Sequence, residues 1–336
     1  MLKMHVNAFI YTTTQINILL AKLNNNSKIY LLIGIVLRII CGALFLFSAF
    51  SKLFPIEFFE YQLVGDHLSN WSTAVYLSRL IIGFEFFLGF ALVLNIDYHR
   101  IIVSSTFLLT CLFTIYLLVV LITRGNEPNC NCFGEFVKIS VTSSLLKNAI
   151  LLLTLGCIWK LNNGYLYRFP RTIISSLLII ALVSIYLINP INKTFSNTAD
   201  SAFVNFKIDL GFLYTEKKYN KPPVNLMQGK HIIAFLSLTC PHCRLAALKF
   251  GVITKKKPKL PVYFVLNGDS SNLKDFYDET KSQNIPCNIV KGDSFVTLSG
   301  LSLPAIYFVN NGLVEQRQTY VSLDEEMITK WLAKKN

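Results

Sequence analysis

Charge is what this sequence has least of. Only 15% of its 336 residues are Asp, Glu, Lys or Arg, far below the roughly 25% of an ordinary soluble domain, while 53% are hydrophobic. That shortage excludes a single soluble domain and a disordered chain. Length and composition also exclude a small disulfide-stapled secreted scaffold. The net charge of +13 is not accompanied by a basic, aromatic-interleaved patch, so no nucleic-acid partner is expected.

The shortage is uneven. Residues 1–199 carry 14 Lys/Arg and 7 Asp/Glu, whereas the shorter stretch 200–336 carries 18 and 12. Two kinds of protein are joined, one solvated by lipid and one by water. Five apolar runs, at about residues 29–50, 72–95, 101–123, 144–160 and 172–189, approach or exceed the ~17 to 25 residues a helix needs to cross a bilayer. Helices are the only reading for runs of this kind, because the backbone must satisfy itself in lipid. The fourth is the weakest, with Lys147 and Asn148 near its start.

Orientation follows from the basic residues in the short connections. The N-terminal segment and the second and fourth connections hold Lys3, Lys22, Lys28, Arg100, Lys160, Arg168 and Arg171; the other two hold Lys52, Arg124 and Lys138. Seven against three places the N-terminus in the cytoplasm and, after five crossings, residues 190–336 on the far side. A cleaved signal peptide is the competing account of the first run. The long polar lead and Arg38 inside the run argue against it. Charges inside spans are expensive. Counted from the inner ends of their runs, Arg38 and Glu85 both lie roughly 14 to 15 Å deep, which predicts an ion pair locking the first helix to the second.

The eight cysteines divide into two motifs and four singles. Cys111, Cys157 and Cys287 read as small buried hydrophobes; Cys41 is left out of that reading, because it lies in the outer half of the first helix, within reach of the outer loop. The first motif, Asn129-Cys130-Asn131-Cys132-Phe133-Gly134, follows the third run and falls on the same side as residues 190–336. Thiols one residue apart on an oxidising face suggest redox exchange through a strained, labile bridge; loop thiols bridged elsewhere, or half of a metal site, are the alternatives.

The second motif, Thr239-Cys240-Pro241-His242-Cys243, sits where the chemistry wants it. Residues 231–238 read as a short buried strand and 244–250 as the continuation of an apolar-rich helix. A cysteine at this strand-to-helix turn meets the unpaired N–H groups of the helix start, which stabilise its thiolate and make it the attacking group. Pro241 is tolerated in a first turn. A protonated His242 would favour the Cys240 thiolate further, and Cys243, one turn on, is placed to resolve a mixed disulfide. Beyond it come a strand at 261–268, a polar helix at 272–284, a hairpin of 305–309 and 313–318 about Asn310-Asn311-Gly312, and a closing amphipathic helix from Leu323. Leu303-Pro304 stands just before the hairpin.

Residues 201–336 thus resemble a thioredoxin-fold domain. The resemblance implies that Cys240 and Cys243 are the attacking and resolving cysteines and that Pro304 is the cis-proline that lies against the disulfide and presents substrate; the Pro-His dipeptide is similar to that of the DsbA family of periplasmic oxidants. Residues 28–162 resemble the MauE and wider DoxX-like membrane families, through Arg38, Gly42, Ser51, Lys52, Arg79, Glu85, Gly89, Cys130 to Gly134, Lys147 and Asn148. Similar bundles occur among vitamin K epoxide reductase relatives, but this chain has no CxxC within a membrane helix.

The expected fold is therefore a multi-domain membrane protein: a cytoplasmic segment 1–27, a four-helix membrane domain 28–162, a fifth, tethering helix and linker 163–200, and an α/β thioredoxin-like domain 201–336. The expected function is thiol–disulfide oxidoreduction on envelope proteins from the inner membrane. Cys240, Cys243, His242 and Pro304 form the site, and Cys130 and Cys132 recycle it with Lys52 nearby favouring thiolate. A methylamine-utilisation-type client is what the MauE resemblance implies. No resident cofactor or metal is expected; a quinone is the candidate electron partner. Two alternatives remain: a soft-metal factor holding Zn or Cu(I) through Cys130, Cys132, Cys240 and Cys243, and a non-catalytic assembly scaffold.

Overall fold

The computed structural model describes residues 25–96, 100–126, 139–161, 170–191, 205–217, 219–300 and 302–334. It divides into two compact units, one of Met1–Phe59 with Tyr76–Pro190 and one of Glu60–Val75 with Ile191–Asn336. Within the first half of the chain, α1 (Asn25–Leu53), α2 (Ile56–Gly65), α3 (Trp71–Val93), α4 (Ile101–Arg124), α5 (Val141–Leu161) and α6 (Pro170–Ile188) follow in order. All but α2 contain a stretch long and apolar enough to cross a membrane, so five spans stand where five apolar runs were read. The chain is a multi-pass membrane protein.

Helix α3 is the centre of the bundle: 56% of its most apolar stretch is buried, against 11% for α6. Lipid does not drive helices together as water does, so close contact needs small residues. Gly42 of α1 meets Gly89 of α3 so tightly that a Cβ at Gly42 would lie 2.7 Å from the Gly89 carbonyl oxygen. Gly83 gives α6 its seat, since a Cβ there would lie 2.8 Å from Leu182. The fifth span touches the bundle there, with Ala181 and Ile185 buried. Polar ties add to this. Arg79 Nε donates to the Asn189 carbonyl at 2.9 Å, Asn189 Nδ2 donates to the Leu53 carbonyl at 3.2 Å, and Asn148 Nδ2 donates to Thr114 Oγ1 at 3.2 Å.

The expected partner of Glu85 was Arg38; the structure gives Glu85 to Lys52. Lys52 Nζ donates to both carboxylate oxygens at 2.6 and 2.8 Å and to Ser48 Oγ at 2.9 Å, with the Phe113 ring centroid 5.0 Å away. Lys52 is thus buried in an ion pair with Glu85; the loop cysteines it was expected to assist lie outside the described residues. Arg38 is itself fully buried. The reason for the misreading is axial. The Arg79–Asn189–Leu53 ties put the end of α1 level with the third turn of α3, so Glu85 lies only about 9 Å inward of Leu53 at 1.5 Å per residue, within reach of a long side chain at position 52.

The C-terminal domain carries β1 (Phe206–Lys207), α7 (Phe212–Thr215), β2 (Lys230–Ser237), α8 (Pro241–Lys256), β3 (Val262–Asn267), α9 (Leu273–Thr280), β4 (Cys287–Ile289), α10 (Asp293–Ser299), β5 (Ala305–Asn310), β6 (Leu313–Gln318) and α11 (Glu325–Ala333). Its sheet has the order β1-β6-β5-β2-β3-β4. The β2–β3 and β3–β4 pairs are parallel, and the β2–β5, β5–β6 and β1–β6 pairs are antiparallel. Strand β2 is interior and buried on both faces, which is why it reads as an unbroken apolar run. Ile232, Ala234 and Leu236 face a core built with Ala246, Phe250, Phe276, Ile328 and Trp331; Ile233 and Phe235 face a second core with Leu213, Phe295 and Val309. Asn311 and Gly312 turn the β5–β6 hairpin with φ of 51° and 77°, the positive values a tight hairpin demands.

Candidate redox site

The site begins at the end of β2. After Ser237 the chain turns, Cys240 N–H donating to the Ser237 carbonyl at 3.3 Å and Leu238 N–H to the Asn267 carbonyl at 2.9 Å. Cys240 then stands as the N-cap of α8 with extended backbone, φ −78° and ψ 123°, and Pro241 opens the helix. Proline there forfeits no hydrogen bond, because the first helical N–H groups have no partner within the helix. The Arg244 N–H closes the first turn on the Cys240 carbonyl at 3.0 Å.

This geometry makes the two thiols unequal. Both are free, Cys240 half-buried and Cys243 buried. Burial pushes the Cys243 thiol well above the ordinary cysteine range; a backbone hydrogen bond at Ser237 works against that, and a hydrogen bond to Cys240, with Cys243 as donor, adds to it. Cys243 therefore keeps its proton beside the more accessible sulfur. His242 is exposed, its ring centroid 6.2 Å from that of Tyr320. The Leu303–Pro304 peptide is cis. Because Phe235 pairs with Ala305 in the antiparallel β2–β5 ladder, Pro304 lies beside the last residues of β2, the end from which the Cys240 turn departs. Cys130 and Cys132 fall outside the described residues. Among the described residues no group of three or more His, Cys, Asp or Glu side chains could hold a metal ion.

The single cysteines are more varied than their sequence context suggested. Cys41 is buried, but Cys157 is exposed on the apolar surface of α5 and Cys111 is intermediate. Cys287, on β4, shares a 2.9 Å hydrogen bond with the Tyr277 hydroxyl, and burial pushes its thiol up.

Two charged residues of α8 escaped the sequence reading. Arg244 Nε donates to the Leu238 carbonyl at 2.9 Å and its Nη1 to Glu279 of α9. Lys249 is only 5% exposed. Its Nζ donates to the Tyr320 and Val321 carbonyls at 2.8 and 2.9 Å, with the Trp71 and Tyr61 ring centroids at 4.9 and 5.5 Å. Burial brings Lys249 down to about 7, against the opposing pull of Asp324 and Glu60. The available signal was a cation inside the otherwise apolar stretch 245–253, which marks a charge obliged to find buried partners.

Residues 30–161 match the family model of methylamine utilisation protein MauE. The membrane half is MauE-like. Across both halves the chain is similar to Protein TlpB of Flavobacterium psychrophilum, 24% identical over 324 residues that cover 82% of this chain and 88% of the relative. That span exceeds either half alone, so the likeness runs from the bundle into the sheet domain. No solved structure matches the chain significantly.

Proposed function

We propose that this protein is a thiol–disulfide oxidoreductase of the inner membrane, with the N-terminus cytoplasmic and a thioredoxin-type domain on the periplasmic side. The observation that carries the reading is the Cys240–Cys243 pair itself. A half-buried sulfur caps α8 at the end of an interior strand, and a buried, proton-retaining sulfur one turn later hydrogen-bonds to it. That is the asymmetry a two-step exchange requires. The mixed sheet, the site at the β2–α8 turn and the cis Leu303–Pro304 peptide beside it support the thioredoxin-type fold.

In the oxidising direction a client thiolate attacks Cys240 Sγ of the Cys240–Cys243 disulfide. The Cys243 sulfur leaves and takes up a proton, for which its burial suits it. A second client thiolate then attacks the client sulfur of the mixed disulfide. The client leaves oxidised, Cys240 departs as thiolate, and two electrons now reside on the Cys240–Cys243 dithiol. A Cys130–Cys132 disulfide accepts those two electrons by the same exchange and passes them to an acceptor, of which a quinone is the candidate. The client is an envelope protein, and the MauE-like bundle supports one of the methylamine-utilisation type.

The test uses the oxidised full-length chain in detergent with a reduced two-cysteine peptide. Oxidation of two peptides per oxidised chain is expected, one by the Cys240–Cys243 disulfide and one after the Cys130–Cys132 disulfide has restored it, with Cys240→Ala inactive. Equal peptide oxidation by wild type and Cys240→Ala contradicts the proposal.

A further inference from the structure

Arg244 occupies an unusual position relative to the attacking cysteine. Its backbone N–H binds the Cys240 carbonyl, and its side-chain Nε reaches back past that residue to the Leu238 carbonyl at 2.9 Å. One residue therefore holds the chain on both sides of Thr239. Leu238 is fully buried, so no water replaces the lost donor if the guanidinium is removed. A second guanidinium nitrogen is engaged too. Nη1 is ion-paired with Glu279 of α9, and the two side chains are only 21% and 10% exposed. A planar guanidinium can serve a carbonyl with one edge and a carboxylate with another while staying fixed; an ammonium on a flexible stem cannot hold both in that geometry.

We infer that Arg244, fixed by Glu279, is a positioning residue for Cys240: its hydrogen bond to the Leu238 carbonyl sets the turn that presents the Cys240 sulfur to the start of α8 and so governs the redox equilibrium of the Cys240–Cys243 pair. The inference rests on the proposed thiol–disulfide activity. It deepens that reading by locating the control of the site in a residue that touches neither client nor sulfur. The favourable field at a helix start falls off within the first turn, so a relaxed turn gives up thiolate stabilisation. A less stabilised dithiol makes its disulfide a weaker oxidant.

The experiment equilibrates the full-length chain in detergent with glutathione and glutathione disulfide and reads the state of the Cys240–Cys243 pair by mass spectrometry. The couple is balanced: the protein disulfide and two glutathione thiols give the protein dithiol and one glutathione disulfide. Arg244→Ala should shift the equilibrium toward the protein disulfide by about tenfold, the size of one charge-assisted hydrogen bond. Arg244→Lys should leave most of that shift in place, and Glu279→Gln should produce part of it. Wild-type behaviour of Arg244→Lys overturns the inference, because charge alone would then suffice. An equilibrium within twofold of wild type in Arg244→Ala, with only a lower melting temperature, overturns it as well, by leaving a purely structural role. If Arg244→Ala does not accumulate, Glu279→Gln decides, and an unchanged equilibrium in that variant is a refutation. A wild-type chain that exchanges with no glutathione at all would instead refute the underlying oxidoreductase reading.

Discussion

At the scale of single residues, the domain places two kinds of buried proton on one helix. Cys243 keeps its proton because burial penalises the thiolate, whereas Lys249 loses its proton readily because burial penalises the ammonium. The consequence for stability has a definite sign. The Lys249 value of about 7 lies below the ordinary 10.5, so between those limits the unfolded chain holds a proton that the folded chain has released. Stability therefore rises with pH across that window, by at most ~1.4 kcal/mol per pH unit from this one group. Melting of the detergent-solubilised chain at about pH 7.5 and about pH 9 measures it. The rise between the two pH values should be larger in wild type than in Lys249→Met, and equal rises contradict the assignment. The sequence announced Cys240, His242, Cys243 and Pro304 because spacing and strand context carry them. It did not announce Arg244, Glu279 or Lys249, whose significance comes from carbonyls and rings brought up by α9, by the turn after β6 and by Tyr61 and Trp71.

At the scale of elements, the five spans were legible because lipid leaves a long apolar run one conformation, and each run coincides with a helix to within a few residues. The strands β2, β3 and β5 were legible for a related reason, being apolar runs bounded by turn signals, and β6 was legible from the Asn311-Gly312 hairpin turn before it. Short elements were not. Helices α2, α7 and α10 and the strands β1 and β4 span only two to ten residues, too few for a periodic pattern, and their existence depends on what they pack against. The ion pairing shows a further limit: counting from run ends estimates depth but ignores the axial offset between helices, and so it assigned Glu85 to Arg38 when Lys52 holds it. This correction has a testable energetic form. Removing one partner of a buried pair leaves an uncompensated charge, at a cost of roughly 3 to 5 kcal/mol, while replacing both by apolar residues is often neutral. Lys52→Met and Glu85→Leu should each lower accumulation and melting temperature sharply. The double variant should recover most of the loss, and a double variant worse than either single would contradict the pairing.

At the scale of the whole molecule, a shortage of charge in the sequence resolves into a division of labour. The apolar, MauE-like half provides five spans closed by glycine contacts and a buried ion pair, and the charged half provides a sheet domain whose interior strand ends at two unequal thiols. Among the described residues five helices are long and apolar enough to cross a membrane. The central claim is that Cys240 is the sulfur that forms the mixed disulfide with a protein client and Cys243 is the sulfur it pairs with inside the domain. The most direct measurement is acid-quenched, non-reducing electrophoresis of cells making the Cys243→Ala chain, followed by mass spectrometry of whatever is bound to Cys240. The account predicts reducible adducts through Cys240 that disappear in the Cys240→Ala, Cys243→Ala double variant; a Cys243→Ala chain that runs as a monomer with a free Cys240 thiol would contradict it.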